Sequence, residues 1–168
     1  NLFINHCLND DYPAGKLNIY QYKKLPKKLL PVVGINPGAS YGDAKRWYPE
    51  EFAEVCEKLS THYNIIIYGG LKEKDIANDI EEILVNKGIL NYQNLAGKTS
   101  IKELVESISG LDLFITGDSG PMHLAACFQI PSITIFGPTR DFETSQWMNK
   151  KNVILKKDLN CQPCMKRT

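Results

Sequence analysis

From Val32 onward, short apolar runs alternate with longer stretches of mixed polarity. The runs are Val32-Val33-Gly34-Ile35, Asn64 to Tyr68, Leu111 to Thr116, Pro131 to Phe136 and Val153-Ile154-Leu155. Short runs rich in β-branched residues and closed by Gly, Pro or Asn read as strands. Asn94-Leu95-Ala96-Gly97 reads as a further short strand and turn. The stretches between them have helical spacing. Pro49 starts a helix with Phe52, Val55, Cys56 and Leu59 on one face. The next helix buries Ile76, Ile80, Ile83 and Leu84 and ends near Gly88. Ser100 and Glu103 form a capping box for a third, with the stripe Leu104, Val105 and Ile108. Pro121 to Phe128 is a short fourth helix. Strand-helix alternation of this kind predicts the α/β class: a Rossmann-like parallel sheet with helices on both faces.

Residues Asn1 to Pro31 break the pattern. Pro13, Pro26 and Pro31 interrupt any helix, and Lys16, Lys23, Lys24, Lys27 and Lys28 outnumber Asp10 and Asp11. This region reads as an irregular linker with a short strand at Leu2-Phe3-Ile4. Its basic cluster reads as a solvated surface, with a membrane-surface contact as the sharper alternative. The regular domain is then residues 32–168.

In a parallel sheet, ligands bind beyond the carboxyl ends of the strands. Five polar or glycine-bearing loops fall there: Pro37 to Trp47, Gly69 to Glu73, Gly97 to Ser100, Gly117 to Met122 and Gly137 to Arg140. Together they predict one site. At its centre is Thr116-Gly117-Asp118-Ser119-Gly120, a strand end turning into a helix. Such a turn aims backbone N–H groups and the positive end of the helix dipole at an anion.

Composition narrows the picture. The chain has 168 residues, 43% of them hydrophobic, enough for one domain with a normal core. Its 20 Lys and Arg nearly cancel 19 Asp and Glu, so charge gives no case for nucleic acid. No apolar run spans a bilayer. The chain starts at Asn1 and stops just after Cys161-Gln162-Pro163-Cys164, as an excised piece of a longer protein would. Cys56 and Cys127 sit at apolar helix positions and read as buried free thiols. The five cysteines make no disulfide framework, which favours a reducing compartment.

Several residues could carry chemistry. Ser119 can cap its helix and donate to a phosphate oxygen, and Gly120 leaves room for close approach. Asp118 adds repulsion beside an anion. It either caps the helix or accepts hydrogen bonds from sugar hydroxyls next to a diphosphate. His123 either packs or contacts phosphate. Lys45 and Arg46 follow a loop with two glycines and two hydroxyls, and read either as surface residues or as phosphate ligands. Trp47 reads as the anchor that packs this loop. Glu73 either favours a helix dipole or accepts ribose hydroxyls. Cys161 and Cys164 have metal-ligand spacing, but two thiolates do not complete a zinc site, so a structural role is favoured. No Asp-x-Asp cluster offers itself to a metal. No Walker loop is present, and no G-x-G-x-x-G follows the first strand.

Six short motifs occur in order: Asn36-Pro37-Gly38-Ala39, Ala44-Lys45-Arg46-Trp47-x-Pro49, Tyr68-Gly69-Gly70, Asn94-Leu95-Ala96-Gly97, Gly117-Asp118-Ser119-Gly120-x-x-His123 and Phe136-Gly137-Pro138-Thr139. Over about Val32 to Cys164 they resemble the C-terminal half of glycosyltransferase family 9, the lipopolysaccharide heptosyltransferases, most of all its heptosyltransferase II branch. The resemblance implies the C-terminal half of a GT-B fold, with residues 1–31 linking to a missing N-terminal domain. It implies an ADP-heptose donor held here without cofactor or metal. The acceptor, the lipopolysaccharide core, and the catalytic base would belong to the missing half. It implies that Lys45 stabilises the leaving diphosphate and that Ser40 and Tyr41 lie near the phosphates. Glu73 would hold the ribose and Thr99 would line the adenosine pocket. Asp118 would meet the sugar, with Ser119, Gly120 and His123 at the diphosphate. A cytoplasmic location follows, with peripheral contact to the inner membrane left open. UDP-using transferases, sugar-nucleotide epimerases and non-catalytic nucleotide-binding modules remain as alternatives.

Overall fold

A computed structural model describes residues 2–9, 11–17, 19, 29–39 and 42–167. Six strands form one sheet: β1 (Val32–Asn36), β2 (Asn64–Ile67), β3 (Tyr92–Asn94), β4 (Leu113–Gly117), β5 (Ser132–Ile135) and β6 (Asn152–Leu155). Their order is β3-β2-β1-β4-β5-β6, and every neighbouring pair is parallel. This is the doubly wound nucleotide-fold order, in which the order of strand addition reverses between β1 and β4 while the strands stay parallel. Ile35 of β1 stands level with Ile67 of β2 and with Ile115 of β4.

Alternation along the strands divides the core. Val33, Ile35, Ile65, Ile67 and Ile115 point to one face, where Phe52 and Cys56 of helix α2 (Pro49–Ser60) and Ile80 and Leu84 of helix α3 (Lys74–Asn86) cover them. Val32, Ile66, Tyr68 and Phe114 point to the other. Ile108 of helix α4 (Ile101–Ser109) and Ala125 of helix α5 (Gly120–Cys127) cover that face. Both faces are buried, as the apolar strand runs require. Cys56 is fully buried, which pushes its thiol up to about 12 and keeps it protonated. Cys127 is half-buried rather than buried, and the same effect raises it less. The α4 capping box is present: Ser100 Oγ accepts the Glu103 N–H at 3.3 Å, and Glu103 Oε2 accepts the Ser100 N–H at 2.7 Å. The Ser100 N–H and the Ser100 hydroxyl both donate to that carboxylate and hold it below its ordinary range.

Two expectations are corrected. Leu2-Phe3-Ile4 lies in a helix, α1 (Leu2–Leu8), and not in a strand. A three-residue strand needs a sheet neighbour for its backbone hydrogen bonds, and none of the six strands pairs with it. A helix satisfies those groups locally. The third strand also ends earlier than the Asn94-Leu95 pattern suggests. Asn94 closes it, because its Oδ1 accepts the Ala96 N–H at 3.1 Å and starts the turn. No helix among the described residues is long and apolar enough to cross a membrane.

Candidate functional site

A cleft of about 840 Å³ opens above the carboxyl ends of the strands. All five loops expected there line it, joined by Glu143 and Thr144 of helix α6 (Asp141–Thr144) and by Met165 of the C-terminal tail. The cleft is lined at the β1/β4 reversal by Asn36, which ends β1, and by Asp118, which follows β4. The volume falls within the range of small-ligand sites.

Lys45 and Asp118 meet at this point. Lys45 ends the 3-10 turn Asp43–Lys45, and its Nζ donates to Asp118 Oδ2 at 2.6 Å. The side chains are only 11% and 7% exposed, so this is a buried ion pair. Thr139 Oγ1 donates to the same oxygen at 2.6 Å. Asp118 therefore does not cap α5; its carboxylate points across the loops. Ser119 occupies the N-cap position, but its hydroxyl does not cap the helix. It turns back to the sheet, accepting from Asn36 Nδ2 at 3.0 Å and lying 3.2 Å from Thr116 Oγ1. Asn36 supplies a competing donor, which is why the usual cap bond is absent.

Close backbone approach seats Lys45. A Cβ on Gly137 would stand 2.7 Å from the Ala44 carbonyl oxygen. The β5 loop can thus press against the Lys45 turn only without a side chain there. Gly137→Ala is expected to destabilise the chain by about 1–3 kcal/mol, the usual cost of overpacking. Urea unfolding checks this, and an unchanged midpoint would show that the Lys45 turn gives way freely.

The sequence-derived candidates distribute as follows. Lys45, Glu73, Thr99, Asp118, Ser119, Gly120 and His123 all line the cleft. Ser40 and Tyr41 lie outside the described residues. Arg46 does not share the cleft with Lys45: it pairs with Asp43 at 2.8 Å and donates to the Ala39 carbonyl at 3.4 Å, bracing the loop. Trp47 packs edge-on against Phe52 with centroids 5.1 Å apart, the anchoring role expected of it. Glu73 is buried, with one carboxylate oxygen accepting the Gly70 N–H. Gly38 keeps room for it, since a Cβ there would fall 2.3 Å from Glu73 Cγ. His123 is exposed on the cleft wall, so it does not pack in the core. Cys161 is exposed and Cys164 half-buried, both free thiols. Between them Gln162 donates to the Gly137 carbonyl at 2.6 Å, which ties the tail to the β5 loop. Among the described residues no group of three or more His, Cys, Asp and Glu side chains is placed to hold a metal ion.

Sequence reasoning quoted Thr139 and Asn36 in its motifs, Thr139 in a site loop as well, but gave neither a role of its own, and it missed Met165. Thr139 carried a signal, a hydroxyl just after the Gly-Pro turn that ends a strand. Asn36 carried one too, a polar residue closing an apolar strand. Met165 carried none, because what brings the tail to the cleft is tertiary: the Met165 N–H donates to the Pro138 carbonyl at 2.9 Å and Gln162 donates to the Gly137 carbonyl at 2.6 Å.

The profile of the family described as glycosyltransferase family 9 (heptosyltransferase) matches residues 13–168. A lipooligosaccharide heptosyltransferase 2 from Campylobacter jejuni subsp. jejuni serotype O:2 is 46% identical over 143 residues, covering 84% of this chain and 44% of the relative. The lipooligosaccharide heptosyltransferase 2 of Haemophilus influenzae is 35% identical over 125 residues, covering 74% of this chain and 36% of the relative. Among solved structures, the Escherichia coli ADP-heptose LPS heptosyltransferase II superposes with a TM-score of 0.69 at 26% identity, covering 83% of this chain and 45% of that one. The chain thus spans less than half the length of these relatives.

Proposed function

We propose, from the premise that this chain belongs to glycosyltransferase family 9, the heptosyltransferases, that it is the donor-binding part of an enzyme that transfers heptose from ADP-heptose to the inner core of lipopolysaccharide or lipooligosaccharide. In this reading the protein has two Rossmann-like domains in a GT-B arrangement, residues 1–31 join them, and the acceptor and the base belong to the other half. The reaction inverts the anomeric centre. The enzyme works in the cytoplasm, at or near the inner face of the membrane that carries its acceptor.

One observation carries this reading: the buried Lys45–Asp118 pair at the β1/β4 reversal, 2.6 Å apart. A cation there offsets charge as it builds on a departing diphosphate, which is electrostatic catalysis. A carboxylate beside it suits sugar hydroxyls and opposes a bare phosphate, so the pair marks the junction of sugar and diphosphate. Ser119, Gly120 and His123 then face the phosphates at the positive end of α5. Glu73 takes the ribose. Thr99 lines the adenosine end, where Leu71 and Ile101 add apolar surface.

Calorimetry on the 168-residue chain tests the reading. ADP is expected to bind weakly and UDP more weakly still, with no transfer by this chain alone. Equal affinity for ADP and UDP would favour a transferase or epimerase that uses another nucleotide. Binding of neither would remove the donor site.

A further inference from the structure

The Asp118 carboxylate is held asymmetrically. Oδ2 accepts from Lys45 Nζ and from Thr139 Oγ1, each at 2.6 Å. Oδ1 makes no hydrogen bond to the described residues, and Asp118 lines the cleft. An aspartate side chain by itself has no reason to sort its oxygens this way, because its last torsion is broad and two-fold. Lys45 does not sort them either: an ammonium is a point charge and pairs equally well with either oxygen or with both.

The Thr139 hydroxyl is different. It sits on a loop fixed from two sides. The Met165 N–H donates to Pro138 and Gln162 Nε2 donates to Gly137, while Gly137 lies against Ala44. Thr139 itself is 4% exposed, so its side chain has little room to follow a moving partner. A carboxylate can only accept, so the hydroxyl must donate, and it donates from a fixed place.

We propose that Thr139 is a positioning residue for transfer: its hydroxyl commits Asp118 Oδ2 to the protein and so presents Oδ1 to the sugar of the donor. This rests on the proposed reading of Asp118 as the sugar-side residue. Thr139 acts through Asp118 and needs no contact with the diphosphate. It should therefore govern how well a sugar-bearing nucleotide is held over the bare nucleotide, and leave the bare nucleotide nearly alone.

The test compares wild type with Thr139→Val, which keeps the shape and removes the hydroxyl, and with Thr139→Ser, which keeps the hydroxyl. Thr139→Ala serves the same purpose if the valine variant does not fold, with thermal unfolding as the check. ADP and ADP-heptose affinities are measured for each. The preference for ADP-heptose over ADP is expected to fall about tenfold in Thr139→Val, with ADP alone changed less than about twofold, and to return in Thr139→Ser. A ligand-free crystal structure of Thr139→Val is expected to show the carboxylate turned so that Lys45 bridges both oxygens. An unturned carboxylate together with an unchanged preference overturns the inference. If wild type itself does not prefer ADP-heptose, the sugar-side reading of Asp118 falls, and the orientation of the carboxylate in Thr139→Val alone decides whether Thr139 positions it.

Discussion

Asp118→Asn is expected to tighten ADP binding by about three- to tenfold while lowering the preference for ADP-heptose over ADP. The carboxylate neutralises Lys45 at 2.6 Å, so a diphosphate entering the cleft meets a cation whose charge is already matched. The amide still accepts hydrogen bonds from Lys45 and Thr139 but carries no charge. Lys45 is then released to the anion, a gain on the scale of a partly screened contact between unit charges. Sugar hydroxyls lose a charged acceptor for a neutral one, which weakens them. Calorimetry with the two ligands reads both effects. Weaker ADP binding would show that Asp118 serves to fix Lys45 in place, and that masking its charge is secondary. Asp118→Ala asks more of the fold. It strands a buried ammonium without its carboxylate and is expected to destabilise the chain by about 3–5 kcal/mol, read by urea unfolding.

Lys45→Ala is expected to weaken ADP binding at least tenfold, the worth of a charge-assisted contact in a poorly solvated place. In the whole enzyme the same change is expected to raise the transfer barrier by about 2–4 kcal/mol, since the charge it offsets grows as ADP departs. Stability moves as well, because the Asp118 carboxylate keeps Thr139 but loses its counter-ion. The double change Lys45→Met with Asp118→Leu separates the two roles. Apolar side chains often replace a buried pair without loss, so stability is expected to recover while ADP binding does not. Equal ADP affinity in wild type and Lys45→Ala would take Lys45 out of the site.

Much of this architecture was legible in the order of residues. Uninterrupted apolar strands such as Asn64 to Ile67 require cover on both faces, and the helices between them carry matching apolar stripes. That pattern sets a parallel sheet, and a parallel sheet sets where its loops gather. Ser100 and Glu103 lie three residues apart, so their capping box is a local matter that needs no tertiary partner. The end of the third strand was missed for a local reason, the Asn94 side chain turning the chain at Ala96, but two other errors fell where an outcome depended on distant partners. Leu2-Phe3-Ile4 looked apolar enough for a strand, but strand formation is decided by a neighbour that the segment does not have. Ser119 looked like a helix cap, but Asn36, 83 positions away, draws its hydroxyl to the sheet.

The amino-acid sequence by itself determined the class of fold, the edge of the sheet that carries the cleft, and six of its motifs, because strand period, capping and turn chemistry act over a few residues. Only the tertiary structure decided how the charges are arranged within that cleft. Lys45, Asp118 and Thr139 lie 73 and 21 positions apart, yet share one carboxylate oxygen. Their meeting depends on the β1/β4 reversal and on the close seat that Gly137 allows at Ala44. Two neighbouring cations, Lys45 and Arg46, were alike in the sequence. The fold sent one into the cleft and used the other to brace the loop, because consecutive residues of a tight turn face different ways.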